Sequence, residues 1–194
     1  MPLNSQSMMR DVSELDITTY PEPVLRERAI AIPAVNDDVR AVAQRMIEVM
    51  HRLEGIGLAA PQIGLSWRMF VAHVHEDEED GRFADTDPPS ATLQPEVYIN
   101  PVLSDFSPER EPFNEGCLSL PKIRGEVIRP TSVTITALDA HGNPFTRRAT
   151  GLLARCWQHE MDHLDGVLII DRMTQMSRLK NRQLVRDLER RGNA

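Results

Sequence analysis

Cysteine is nearly absent from this chain: Cys117 and Cys156 are the only two in 194 residues. So few thiols exclude a secreted disulfide scaffold and point to a reducing compartment. Long apolar runs are missing too, and no stretch nears the ~20 residues that span a bilayer. The opening residues, MPLNSQSMMRDVSELD, hold no apolar core of signal-peptide length, and their acidic residues speak against a transit peptide. Positive charge is in deficit: a net charge of -7 argues against a general or sequence-specific nucleic-acid surface. Neither an internal repeat nor a low-complexity segment is present. The expectation is a cytoplasmic protein without membrane attachment.

What remains is ordinary globular composition, 41% hydrophobic and 26% charged, at the length of one domain with a sizeable core. The chain divides into a flexible N-terminal tail (1–15), a catalytic domain (16–172) and a C-terminal amphipathic basic helix packed on the domain (173–194). Asn36 caps a helix carrying Val39, Val42, Ala43, Met46, Ile47, Met50 and Leu53 at helical spacing, and Gly55 ends it. Small residues in Gly55-Ile56-Gly57-Leu58-Ala59-Ala60-Pro61-Gln62 let backbone approach something closely. The missing Gly-Lys-Ser/Thr ending excludes a phosphate loop. Strands are expected at 67–74, 97–106, 131–138 and 167–170. Residues 76–95 read as an exposed acidic loop, and His73, His75 and His141 as surface residues. From Arg172 onward seven Arg/Lys face two Asp/Glu, a net +5, leaving -12 on the rest. The last helix, about 174–190, is expected to turn Met176, Leu179, Leu184 and Leu188 inward.

The chemistry concentrates in Gln158-His159-Glu160-Met161-Asp162-His163, an HExxH pattern. Two histidines four apart share one helix face, because a turn takes ~3.6 residues. Both imidazoles reach one metal ion, and Glu160 can lean toward water bound there. Thr150 caps this helix and Gly166 closes it. A catalytic site needs a third protein ligand and an open position. The long zincin form, HExxHxxGxxH, fails at its last position, where Ile169 stands instead of histidine. Asp171 is too close, and Asp187 and Glu189 lie in the basic tail. Cys117, off the helix in a segment that can bend, is the favoured third ligand, since thiolate is a strong soft donor. Cys156 lies on the same helix as His159 and is assigned to the wall.

With those residues in hand the sequence resembles the peptide deformylases. GIGLAAPQ at Gly55 to Gln62, EGCLS at Glu115 to Ser119 and QHEMDH at Gln158 to His163 match in order and separation. YPEPVLRERA near the start and GVLIIDR at Gly166 to Arg172 look like family segments too. The resemblance implies an α+β fold, with antiparallel β-sheets packed around a central metal-binding HExxH helix. A C-terminal helix resembles the form common in Gram-negative bacteria. It implies hydrolysis of the N-formyl group from the formylmethionine of newly synthesised polypeptides, releasing formate.

Carried over by motif, Cys117, His159 and His163 hold one ion per chain, Fe(II) by resemblance. Zn(II), Ni(II) or Co(II) would also be accepted. Glu160 is the general base, and Gln62 with the Leu118 N–H receives the oxyanion. Ile56, Phe113, Leu152, Cys156 and His159 form a pocket for methionine, with Gly57 and Gly116 letting the peptide backbone pass. The partners implied are N-formylmethionyl nascent peptides and, through the basic C-terminal helix, the ribosome. Two other readings stand beside this one: an HExxH metallopeptidase, and a non-enzymatic metal-bearing module with a partner-binding tail.

Overall fold

A computed structural model describes residues 12–192. Residues 1–11 of the expected tail lie outside the described residues. Val12–Glu14 form a short 3-10 turn, and Leu15 is buried. Its carbonyl accepts from Arg45 Nε (2.9 Å), docking the segment on the first helix.

Helix α1 (Asp37–Arg52) starts as its sequence requires. Asn36 Oδ1 accepts the Val39 N–H at 3.0 Å, and Asp37 and Asp38 sit where the helix dipole favours negative charge. Its inward stripe is Val39, Val42, Ala43, Met46, Val49 and Met50. The end differs in detail from expectation. Glu54 N donates to His51 O and Gly55 N to Met50 O, and the left-handed residue is Glu54 (φ 54°), not Gly55. Gly55 makes room instead for Leu118: a Cβ there would stand 2.9 Å from Leu118 Cδ1, which would have to shift.

Strands β1 (Gly57–Ala59), β2 (Met69–Ala72), β3 (Glu96–Ser104), β4 (Arg110–Gly116), β5 (Arg124–Pro130), β6 (Ser132–Leu138) and β7 (Pro144–Thr150) follow. They form two antiparallel sheets, β1-β2-β3-β6-β7 and β4-β5. Against expectation, β2 is shorter than 67–74, because Trp67 bridges to Ile30 instead. Residues 76–95 are only partly exposed, since Ser90, Ala91 and Thr92 are buried. Strands β4, β5 and β7 were not anticipated. β7 buries only Ala149 and β4 only Glu115, so neither displays an apolar alternation to read.

Helix α2 (Gly151–Leu164) carries the HExxH pattern through the centre. Leu153, Ala154, Trp157, Met161 and Leu164 pack on Phe70, Tyr98, Val133 and Ile135 of the larger sheet. Such fully buried side chains are each worth about 1.5–3 kcal/mol, and Leu153→Ala would cost about 2–5 kcal/mol. Thr150 does not cap the helix; its hydroxyl donates to Thr131 O. Carbonyls from outside take the first amides instead: Gly151 N donates to Thr131 O and Leu153 N to Ser90 O. The returning arm of the 76–95 segment therefore positions the metal helix. Gly166 closes α2 as expected, at φ 73°, and a Cβ there would meet Arg26 O at 2.5 Å.

The expected strand at 167–170 is instead coil leading into a short helix α3 (Ile169–Arg172). The Asp171 carboxylate accepts the Leu168 N–H at 2.8 Å and so folds the segment into a helical turn. Helix α4 (Gln175–Gly192) also turns a different face inward. Met176, Leu179 and Leu184 are exposed, whereas Leu188, as expected, and Val185 pack on the cluster with Leu25, Val127 and Met173. Asn181 sits buried in that seam, its amide donating to Arg124 O (2.7 Å) and Ser177 O (2.9 Å). A polar residue with two backbone acceptors is cheap to bury, and the Arg124 bond ties this face of the helix to β5.

Candidate active site

The four-residue spacing on α2 places the rings of His159 and His163 with centroids 5.0 Å apart. Cys117 follows the end of β4, and its Sγ lies 3.2 Å from His163 Nε2. One donor atom from each of Cys117, His159 and His163 falls within 4.8 Å of the others. A thiol and two imidazoles are the donors a transition metal takes in a three-ligand site with room for water. The donor set fits a catalytic ion, and no other three such residues hold their donor atoms this close together among the described residues.

The surroundings fix these donors. His159 Nδ1 donates to Glu115 Oε2 (3.1 Å), which leaves Nε2 as its free donor atom. Glu115 is gripped by Arg129 through two bonds (2.7 and 2.9 Å) and by Arg155 (2.8 Å). Arg129 also reaches Asp162 (2.8 Å), which Arg172 holds from outside. Burial pushes the Glu115 carboxyl upward, but the His159 and Arg129 bonds win and hold it well below the usual carboxylate range. Removing one member of so buried a network would leave an uncompensated charge, at about 3–5 kcal/mol. Burial, with like charge on His159 and Arg129, pushes the His163 imidazole well below its ordinary value, toward the neutral form that can ligate.

Glu160 differs from Glu115. It is 3% exposed, and its Oε2 has no hydrogen-bond partner among the described residues. Burial raises its pKa to about 7, against the lowering pull of His159 and Arg129. Gly57 makes room for it: a Cβ there would overlap the Glu160 carboxylate and stand 2.8 Å from Cys156 Sγ. Cys156 donates to Ile56 O (3.4 Å), and burial pushes its thiol well up, which keeps the proton on sulfur.

Gln62 sits in the 3-10 turn Ala60–Ile63, behind β1. Its Oε1 accepts the Ala59 N–H (2.8 Å), so Nε2 is turned toward Ser119 Oγ (3.3 Å) and Cys117 Sγ (3.6 Å). The Leu118 N–H makes no hydrogen bond among the described residues. A cavity of about 570 Å³ opens here, within the usual range for ligand sites. Ile56, Gly57, Gln62, Phe113, Gly116, Cys117, Leu118, Leu152, Cys156, His159 and Glu160 all line it, while His163 lies behind.

Sequence reasoning missed Arg155, which also lines the cavity and lies with its guanidinium 5.2 Å from the Phe113 ring centroid. Its position four residues before His159 was the available signal. Glu115 was quoted in a motif without a role, and Arg129 had no local signal at all. Asp162, within the HExxH pattern, is buried in the ion network.

Three donors placed to hold a polarising ion, a buried carboxylate beside them and an adjoining cavity, carried on an α+β scaffold, define the site of a metal-dependent hydrolase. The model of the polypeptide deformylase family matches residues 14–179, and the chain belongs to that family. It is 46% identical over 159 residues to peptide deformylase 2 of Gloeobacter violaceus, covering 82% of this chain and 79% of that one. It is 38% identical over 183 residues to the peptide deformylase of Chromohalobacter salexigens, covering 94% and 98%. The crystal structure of peptide deformylase from Ehrlichia chaffeensis superposes with a TM-score of 0.80 at 32% identity, over 92% of this chain and 97% of that one.

Proposed function

We propose that the protein removes the N-formyl group from the N-terminal formylmethionine of new polypeptides, releasing formate, with Cys117, His159 and His163 as ligands of one Fe(II) per chain. The observation that carries the residue assignment is a buried carboxylate, Glu160, whose Oε2 has no partner among the described residues, on the same helix as two of the three donors. When bound, the ion supplies Lewis acidity, activating water and polarising the formyl carbonyl. The same donors accept Zn(II), Ni(II) or Co(II).

Glu160 takes a proton from the attacking water at a carboxylate oxygen and returns it to the leaving amine. Its raised pKa makes it a usable base and then a usable acid near neutral pH. Gln62 Nε2 and the Leu118 N–H donate to the formyl oxygen as it gains charge. A glutamate at position 62 would repel that charge, and it would have no N–H to offer. Glu115 holds His159 in one tautomer, so it acts as a positioning residue. Ile56, Phe113, Leu152 and Cys156 receive the methionine side chain. β1 is the edge of the larger sheet, so the peptide binds there as an added strand, passing Gly57 and Gly116.

The test is formate release from a formyl-Met peptide by protein purified without oxygen, with its ion content measured. An acetyl-Met peptide and an unmodified peptide run beside it. Cleavage of the unmodified peptide at an internal bond, without formate release, would replace this reading with a metallopeptidase.

The basic helix is assigned to ribosome docking. Arg178, Lys180, Arg182 and Arg186 are exposed on α4 together with Met176 and Leu179, and this cationic outer face with apolar side chains supports the reading. No described helix is long and apolar enough to cross a membrane.

A further inference from the structure

His73 and His75 flank the buried Val74, so both emerge on the outer side of the chain as it leaves β2. Sequence alone offers them no third partner of suitable type. The fold brings one from 22 residues away: His51, in the last turn of α1, sets its Nε2 2.9 Å from His73 Nδ1. The ring centroids of His51 and His73 are 5.1 Å apart, and those of His73 and His75 4.0 Å.

His73 touches both other rings, and none of the three imidazoles forms an ion pair among the described residues. Burial and the neighbouring His75 and His51 lower the His73 pKa. The carboxylate that acts on His73 is Glu96, and its oxygens are taken by Arg147 and by the Tyr98 hydroxyl. Glu76, next to His75, accepts the Ala84 N–H. Protonation of His73 is disfavoured, which leaves its ring a lone pair to offer.

We infer that His51, His73 and His75 form a second metal site, for a borderline divalent cation such as Zn(II) or Cu(II). Imidazole suits these ions, whereas magnesium and calcium prefer oxygen. With Zn–N bonds of 2.0–2.1 Å, two nitrogens on a tetrahedral ion stand ~3.3 Å apart. The His51–His73 separation of 2.9 Å is therefore a few tenths of an ångström from a chelating pair. The proton between the rings moves to the outer nitrogen of the same ring, so both facing nitrogens present lone pairs and no co-reactant is needed. His75 is exposed and swings in as third ligand, and water completes the shell.

Rigid backbone favours the pair. The His51 carbonyl accepts the Glu54 N–H at the end of α1, and the His73 N–H donates to Ile56 O (2.9 Å). Ile56 lines the cavity described above, so the second site lies one hydrogen bond from the substrate groove.

Holoenzyme carrying its catalytic ion is equilibrated with low-micromolar Zn(II), and total metal per chain is measured. Exchange at the catalytic centre leaves that total unchanged, so only a second site raises it. The expected result is two ions per chain for the parent and one for His51→Ala and for His73→Ala, with formate release by all three equal before Zn(II) is added. His75→Gln should weaken the second ion about tenfold. One ion per chain in the parent, or two in His51→Ala and His73→Ala, would overturn the site. Unchanged affinity in His75→Gln would overturn the three-ligand assignment.

Discussion

Replacing Glu160 by Gln should separate what that residue does for catalysis from what it costs the fold. The change keeps the shape, removes the charge and leaves Cys117, His159 and His163 intact. Loss of a general base typically costs ~10²–10⁴-fold in turnover. Stability should move the opposite way in the ion-free protein. Raising a carboxyl from 4.5 to about 7 corresponds to about 3 kcal/mol against its ionised form. The sign follows from proton binding. Between pH 4.5 and about 7 the folded protein holds a proton that the unfolded chain has released, so stability falls as pH rises through that window and is level above it. Glu160→Gln has no such fall. For a chain this long, about 3 kcal/mol is roughly 6–12 °C in Tm, and the new buried amide takes back part of that. The assay is thermal unfolding of both ion-free proteins from pH 4.5 to 8, beside metal content and formate release. Parallel pH profiles would refute the stability argument, and near-normal turnover with the ion retained would refute the base.

Cys117→Ser should lose the ion under dialysis while Cys156→Ser keeps it, as metal analysis would show; the reverse outcome would exchange the two assignments. Gly57→Ala should cut kcat at least tenfold with the ion retained, because its Cβ overlaps the Glu160 carboxylate; unchanged kinetics would mean β1 yields freely. The acid limb of kcat/KM should fall above the ordinary glutamate value near 4.3 but below about 7, since burial raises Glu160 and a bound cation lowers it; a limb at an ordinary glutamate value would deny the burial effect. Neutralising Arg178, Lys180, Arg182 and Arg186 to Gln should abolish low-salt cosedimentation with ribosomes and leave formate release from a short peptide unchanged. Undiminished cosedimentation would return α4 to a solvated face.

Some of this architecture was open to reading in the residues and some was not, and the boundary has a physical basis. Asn36 and Gly166 announce their roles because capping is local: one side chain or one left-handed residue meets its own neighbours in the chain. His159, Glu160 and His163 are legible for the same reason, since helical spacing alone puts them together. Strands β4 and β7 stay hidden because their inward residues are too few to mark a period, and β4 turns Glu115 inward rather than an apolar side chain. Periodicity can also mislead. Leucines at positions 179 and 184 with Met176 look like the packed face of α4, yet the inward residue is the polar Asn181, bonded across to Arg124 O and back to Ser177 O of its own helix.

Long-range polar contacts were the larger gap, and they carry the site. Glu115 and Glu160 are both buried near His159, but one is held far below the carboxylate range and the other is raised to about 7. The bonds from His159 and Arg129 make the difference, with Arg155 a further partner of Glu115, and neither arginine bonds Glu160. One carboxylate is thereby fixed as an anion that orients a ligand, and the other is left able to accept and return a proton. No spacing rule marks which of the two is which, since the arginines arrive from β5 and from the turn of α2 before His159. The division of labour between two glutamates in one cleft is thus a property of the fold, although every residue that performs it stands in plain sight in the sequence.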